Sequence, residues 1–176
     1  MTELPGVEEF RPEMMSRRGE LLAWLLALVV AAGWFTLVRS GQRIPGAVGF
    51  LEVFLLFSAA SISLGNWIDR RTILRLEPGG IQFTNGLRNV RLAWGQIRKV
   101  HVFPSGWGKK VRVIGRESHF EFRTLGEVKA GGEVKGRLGF AEGDRILQQI
   151  LKASGLKEEA VAGRSPSGTR YYEARD

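Results

Sequence analysis

The chain has 176 residues, with 26 Lys and Arg against 18 Asp and Glu, a net charge of +8 and no cysteine. The lack of cysteine excludes disulfides, zinc–thiolate sites and thiol catalysis. The length leaves room for one small soluble domain beside the apolar segments near the N-terminus.

Two long apolar segments follow the first 20 residues. Residues 21–38 contain no charged side chain, and residues 46–68 form a second run. A helix rises about 1.5 Å per residue, so about 20 apolar residues cross the hydrocarbon core of a bilayer. The short link between the runs therefore predicts a transmembrane hairpin, with residues 1–20 and the chain after residue 68 on the same side of the membrane.

Arginines around the two runs predict the orientation of this hairpin. Three precede the first run and three follow the second, whereas the link holds two; in chain order they are Arg11, Arg17, Arg18, then Arg70, Arg71, Arg75, and in the link Arg39 and Arg43. By the positive-inside rule both termini are cytoplasmic and the protein lies in the cell (inner) membrane. The first run is too long for the apolar core of a signal peptide, so we expect a retained anchor.

The second run contains one carboxylate, Glu52. An ionisable residue within a membrane span is a functional candidate. The alternative is that Glu52 lies near the non-cytoplasmic end and reaches the interface or pairs with Arg39 or Arg43. The small residues Ala59 and Ser63 favour close packing of the two helices.

After the second run the pattern changes to short segments with period-two alternation, which is typical of half-buried strands. About six such segments lie between residues 73 and 123, and turn residues such as Asn85-Gly86 separate them. The side chains predicted to face the core are Val90, Leu92, Trp94, Val100, Val102, Val111, Val113, Phe120 and Phe122.

The rest of the chain contains one amphipathic helix. Residues 126–135 repeat Gly-Glu-Val-Lys and fit either an exposed hairpin or a loop. Residues 144–154 have an apolar stripe at helical spacing, and Gly155 followed by Leu156 is a typical helix end. Residues 158–176 are polar without periodicity, which predicts a disordered tail. The predicted fold class is thus α+β, with a soluble domain at residues 72–157.

Four segments of this domain resemble the bacterial PH-like domain families. They are LRLEPGGI (74–81), NGLR (85–88), LAWGQIRKV (92–100) and GFAEGDRIL (139–147). The resemblance implies a PH-like, partly open β-barrel with a C-terminal capping helix, in a small protein with two transmembrane helices before the domain. It is a resemblance of fold and not of chemistry. The first hairpin turn, where eukaryotic PH domains place basic residues for phosphoinositides, is here short and acidic at Glu77, so no specific phosphoinositide pocket is expected.

The soluble domain carries the surplus of positive charge, because residues 72–157 hold 16 Lys and Arg against 7 Asp and Glu. A basic domain suits nucleic acid or anionic lipid. The membrane tether favours anionic lipid, so no nucleic-acid partner is expected. An ordinary charged sheet surface would show the same alternation. The candidate lipid- or partner-binding residues are Lys99, Trp107, Lys109, Lys110, Arg112 and Arg123.

The chain shows no enzyme signature, and we expect no cofactor or metal. The two histidines, His101 and His119, fall at outward strand positions, where they are either ordinary surface residues or neighbours that form a pH switch. His119 with Glu121 provides too few ligands for a metal. The glycines around Trp107 lack the spacing of a phosphate-binding loop.

Two functions remain open from the sequence. The first is a membrane-anchored interaction or scaffold module, whose basic cytoplasmic domain meets a partner protein or the anionic inner leaflet. The second is an accessory subunit or assembly factor of a larger membrane complex or transporter, in which Glu52 acts within the bilayer.

Overall fold

The computed structural model describes residues 6–14, 17–41, 46–159 and 168–174. The chain divides into two compact units: Ser16–Trp67, which is helical, and Met1–Met15 together with Ile68–Asp176, which is built mainly of strands. They are called the helical unit and the β unit below. The fold is α+β, with two long apolar helices followed by antiparallel sheets and a C-terminal helix.

Two long helices make up the helical unit, and the last three residues of the second helix belong to the β unit. The helices are α1 (Arg18–Arg39) and α2 (Gly46–Arg70), and each is long and apolar enough to cross a membrane. Only 6% of the apolar window of α1 and 11% of that of α2 are buried. Helices that are apolar on all sides are normally buried in a large core or in lipid. Because so few of their residues are buried, α1 and α2 differ from core helices of a soluble protein.

A polar cluster and two small residues join the helices to each other. Ala27 and Ala59 are almost fully buried, which agrees with the predicted close packing at Ala59. Ser63 donates to one oxygen of Glu20 at 2.9 Å and Asn66 donates to the other at 2.8 Å. Since Glu20 belongs to the first turn of α1 and Asn66 to the end of α2, the helices run antiparallel, as the short link predicts.

The first sheet of the β unit has four antiparallel strands in the order β1-β2-β3-β4. They are β1 (Glu8–Phe10), β2 (Thr72–Glu77), β3 (Gly80–Asn85) and β4 (Asn89–Ala93). The sequence gives β1 no strand signal, yet it pairs with β2 and buries Phe10 in the core. Gly80 is required at the β2–β3 turn, because a Cβ there would lie 2.2 Å from the Leu92 carbonyl oxygen.

The second sheet has five strands in the order β10-β11-β5-β6-β7, and a separate hairpin is formed by β8 and β9. The elements are β5 (Ile97–Phe103), β6 (Lys110–Gly115), β7 (His119–Arg123), β8 (Gly126–Ala130), β9 (Glu133–Leu138), β10 (Lys157–Glu159) and β11 (Arg170–Glu173). The six strands predicted between residues 73 and 123 are confirmed as β2 to β7. At residues 126–135 the hairpin is formed, and not the loop.

The prediction of a disordered tail is wrong where the structure describes it. Residues 157–159 and 170–173 form β10 and β11, and β11 adds to the free edge of β5 with Tyr171 opposite His101. An exposed strand edge offers unpaired N–H and C=O groups that accept a further strand irrespective of its hydrophobic pattern. Residues 160–167 and 175–176 lie outside the described residues.

The two sheets do not close into a barrel, since no strand pairing joins them within the described ranges. The chain passes from β4 to β5 through a short 3-10 helix, Trp94–Gln96. Trp94 was predicted to face the core from a strand; it does pack against the core, but half-buried and from this turn, and its indole N–H donates to the Pro78 carbonyl at 3.0 Å. The predicted partly open barrel is therefore a pair of separate sheets that share one core.

That core contains the side chains that alternation predicts. Val100, Val102, Val111, Val113, Phe120 and Phe122 are all buried, as are Val90 and Leu92. The final helix α3 (Gly143–Ser154) contributes Ile146, Leu147 and Ile150. It ends at Gly155 in the left-handed conformation (φ 67°), and Leu156 is buried beyond it, which confirms the predicted helix end.

Candidate functional site

The outer face of the five-stranded sheet is a mixed surface of paired charges, and not the basic face that the sequence predicts. Lys99 Nζ lies 2.5 Å from Glu173 Oε1. Glu121 receives two cations, with Lys110 Nζ at 2.6 Å and Arg112 Nε at 2.5 Å from its two oxygens. Three of the six candidate binding residues on this face thus have acidic neighbours.

Glu121 is held in its ionised form by this arrangement. Burial of the carboxyl raises its pKa, but hydrogen bonds from Lys110 and Arg112 lower it by more, so the pKa of Glu121 lies below its ordinary value. Cross-strand register explains the contact, because Arg112 of β6 is directly opposite Glu121 of β7. The cation surplus of the domain is therefore reduced at the position where the sequence pattern suggests it is highest.

The loop between β5 and β6 contains Trp107, the one aromatic residue among the six candidates. Trp107 is 57% exposed. Lys109 is held at both ends, since its backbone N–H donates to Thr124 Oγ1 at 3.0 Å and its ammonium lies 2.8 Å from Asp144. Trp107 is thus exposed, whereas Lys109 and Lys110, which follow it in the chain, are both ion-paired.

Arg123 differs from the other candidate cations. It is half-buried and, among the described residues, its guanidinium has no hydrogen bond and no ion pair. It lines a cavity of about 320 Å³ in the β unit. The cavity wall is formed by the end of α2, the two sheets and the β8–β9 hairpin; its residues are Pro12, Ile68, Asp69, Thr72, Phe83, Asn85, Lys110, Glu121, Phe122, Arg123, Leu138, Gly139 and Phe140.

Asp69 also lines this cavity, and sequence reasoning missed it. It lies in the last turn of α2, is half-buried, and in the described part of the chain its carboxylate has no hydrogen bond or ion pair. The signal available in the sequence is weak, since an acidic residue at the end of an apolar run resembles any flanking charge. What distinguishes Asp69 is the cavity, and the cavity is formed by residues distant in sequence.

A second cavity, of about 360 Å³, lies between β5, β11 and α3. Lys109 and Asp144 form an ion pair at its wall. Arg170 is likewise engaged, because a hydrogen bond with Tyr172 and the charge of Glu158 raise the pKa of its guanidinium. The charged side chains that line this cavity, Lys109, Asp144 and Arg170, thus all have partners among the described residues. We therefore do not treat this cavity as a candidate ligand site.

The two histidines are not neighbours, so the alternative of a paired-histidine switch is wrong. His101 stands opposite Arg112, whereas His119 stands opposite Ile114. The imidazole of His101 packs edge-on against Tyr171, with ring centroids 4.9 Å apart. Burial lowers the pKa of His101, and the charges of Arg112 and Lys99 lower it further.

Glu52 is buried within the helical unit and is only 3% exposed. Among the described residues, its Oε2 atom has no hydrogen-bond partner. The alternative of a pairing with Arg39 is not seen among the described residues; the Arg39 guanidinium lies 6.0 Å from the centroid of the Phe35 ring. Arg43, the other expected partner, lies outside the described residues. An unpartnered buried carboxyl is costly in an apolar environment.

The sequence matches no family model, and the comparisons with curated proteins and with solved structures found no match. Within residues 6–14, 17–41, 46–159 and 168–174, no group of three or more His, Cys, Asp or Glu is placed to hold a metal ion. Inference about function therefore depends on the geometry of the chain itself.

Proposed function

We propose that the chain is a membrane-anchored interaction module. In this proposal α1 and α2 span the cell membrane as a hairpin and hold the β unit, a PH-like domain, on the cytoplasmic side. The observation that carries the proposal is the exposure of the helices, whose apolar windows are only 6% and 11% buried. Exposed apolar surface of that extent is unfavourable in water and favourable in lipid.

The charge of the β unit supports a surface that meets anionic lipid or an acidic partner. Residues 72–157 carry nine more cations than anions. Each Lys or Arg close to an anionic leaflet contributes about 1 kcal/mol of attraction. The exposed indole of Trp107 adds a side chain that favours the membrane interface. A PH-like domain agrees with the order of the elements, an antiparallel strand meander followed by a helix whose apolar stripe enters the core.

Glu52 favours a second candidate function. A carboxyl that is 3% exposed within an apolar helix, and whose Oε2 atom is unpartnered among the described residues, is expected to interact with another subunit or a proton pathway. The chain would then be an accessory subunit or assembly factor of a larger membrane complex. Replacing Glu52 by Gln would abolish co-purification of such a complex, whereas an interaction made by the β unit would survive this change.

The anchor and its orientation are tested together by cysteine labelling, for which a cysteine-free chain gives no background. Ser40→Cys reports on the end of α1 and Ser105→Cys on the β5–β6 loop. An impermeant maleimide on intact cells should label position 40 and reach position 105 only after lysis. A permeant maleimide, which labels both, is the control. Labelling of position 105 alone would show the opposite orientation, and release of the chain by alkaline carbonate would exclude a membrane anchor.

Contact with the leaflet is tested separately in nanodiscs containing the full chain. A spin label at Trp107→Cys should become more accessible to oxygen in anionic than in zwitterionic lipid, and a label at Val134→Cys on the β8–β9 hairpin serves as the control. The difference should disappear in 1 M salt, where the Debye length is about 3 Å. Identical accessibility in both lipids would favour a protein partner over the leaflet.

A further inference from the structure

The cavity that contains Asp69 and Arg123 has one unsatisfied charge of each sign. Four charged side chains line it, and two of them, Lys110 and Glu121, form an ion pair with each other at 2.6 Å. Asp69 and Arg123 form no such pair, either with each other or with another side chain that the structure describes. A half-buried charge without a partner is unfavourable, so the cavity contains two groups that a ligand would satisfy.

The charge balance limits the ligand to a zwitterion. The four side chains sum to zero, so a simple anion on Arg123 would leave Asp69 unpaired, and a simple cation on Asp69 would leave Arg123 unpaired. A molecule with an anionic group and an ammonium satisfies both. A guanidinium suits a phosphate because its fork of N–H donors matches two phosphate oxygens. A carboxylate suits a primary ammonium, whose N–H groups donate to it.

The size and position of the cavity narrow the choice of ligand further. Its volume of about 320 Å³ is at the lower end of the roughly 300–1,000 Å³ of small-molecule pockets, which fits a headgroup-sized ligand. Ile68 and Asp69 in its wall belong to the last turn of α2, so the cavity lies where that helix ends. The lining also includes three buried apolar side chains, those of Phe83, Phe122 and Phe140.

We propose that this cavity binds the phosphoethanolamine headgroup of an aminophospholipid, with Arg123 on the phosphate and Asp69 on the ammonium. The inference rests on the proposed function, because lipid reaches the cavity only if α2 spans the membrane. It adds a selectivity that a charged surface alone would not have. Phosphatidylglycerol lacks the ammonium, phosphatidylcholine has a quaternary nitrogen that cannot donate a hydrogen bond, and phosphatidylserine brings an extra carboxylate beside Glu121.

The full chain, purified in detergent with an equal mixture of these four lipids, provides the test, and native mass spectrometry measures the lipid retained. Phosphatidylethanolamine should be retained about tenfold or more over each of the others, the effect of one charge-assisted hydrogen bond. Asp69→Asn should abolish this preference, and Arg123→Gln should lower the retention of all four lipids.

Matched controls come from the β6–β7 turn, where Arg116 and Glu117 are exposed and, among the described residues, unpaired. Arg116→Gln and Glu117→Gln make the same charge changes away from the cavity and should leave retention within about twofold, because exposed unpaired charges contribute little. The thermal unfolding midpoint confirms that each variant is folded. If Asp69→Asn does not fold, Asp69→Glu retains the charge but shifts its position, and it should weaken the preference without abolishing it.

Three results would overturn the inference. They are equal retention of the four lipids by the wild-type chain, an unchanged preference in both Asp69→Asn and Arg123→Gln, and binding of soluble glycerophosphoethanolamine as tight as that of the lipid. The last would identify a soluble zwitterion as the ligand. Failure of the anchor is a separate outcome, because carbonate extraction would show it while glycerophosphoethanolamine binding could still be measured.

Discussion

Phe83 of β3 stacks on Phe120 of β7, with ring centroids 5.0 Å apart and ring planes 11° apart. The two strands belong to different sheets, between which the described residues form no strand pairing. Side-chain packing, and not a backbone ladder, therefore holds the sheets together. Phe120 is 2% exposed and also packs near Phe122, so it lies at the centre of this contact.

Phe120→Ala should accordingly destabilise the β unit strongly. Truncation of a buried aromatic costs about 3–5 kcal/mol, a large part of the 5–15 kcal/mol that stabilises a typical domain. Urea unfolding of the full chain in detergent, followed by near-UV circular dichroism, measures the loss. Phe103→Ala on the half-buried outer face of β5 is the control and should cost less. Equal costs for the two variants would contradict the packing described.

The stability of the β unit should depend on pH through His101. Its pKa is lowered in the folded state by burial and by Arg112 and Lys99, from a reference of 6.5. The unfolded chain then binds the proton more tightly, so this contribution is complete above about pH 6.5 and decreases as the pH falls towards the folded pKa.

The urea midpoint of the wild type should decrease between about pH 7 and pH 5.5, and His101→Phe should remove most of that decrease. His119→Gln, which removes the other histidine, is the control variant. If the change of the urea midpoint with pH disappeared in His119→Gln and persisted in His101→Phe, its assignment to His101 would be wrong.

Removal of β11 should expose the edge of β5. Deletion of residues 168–176 removes Tyr172, which packs against the core, and uncovers the backbone groups of residues 99–102. Open strand edges promote pairing between chains, so we expect lower stability and larger species in size-exclusion chromatography. Deletion of residues 175–176 alone should behave as the wild type. A monodisperse, fully stable 168–176 deletion would show that β11 contributes nothing to the fold.

The polar cluster of the helical unit should stabilise the helix pair. Ser63 accepts a hydrogen bond from the Trp24 indole at 2.8 Å and donates one to Glu20. Hydrogen bonds between membrane helices contribute roughly 0.6–2 kcal/mol, so Ser63→Ala should lower stability by about 1 kcal/mol in mixed detergent and dodecyl sulfate. Ser61→Ala, on an exposed position of the same helix, is the matched control. A loss of the same size in both variants would argue against the cluster.

Local sequence pattern alone was sufficient to predict the two apolar helices, the inward valines of β5 and β6, and the end of α3 at Gly155. In each case the signal repeats within one element, as a run of apolar residues, a period of two or a helix-ending glycine. Trp94 shows the limit of that reasoning. The alternation of β4 continues through position 94, but the backbone already forms a 3-10 helix there.

Only the tertiary structure decided the candidate site. The acidic neighbours of the predicted cations come from other elements: Glu121 from the next strand, Glu173 from a tail with no strand pattern, and Asp144 from α3. Asp69 and Arg123 are likewise 54 positions apart in sequence and share a cavity only because the fold of the β unit brings both to the same wall. Side-chain periodicity specifies which face a residue occupies within its own element. It carries no information about the charge that a residue of a distant element places next to it. That charge determines whether a cation is paired or available to a ligand.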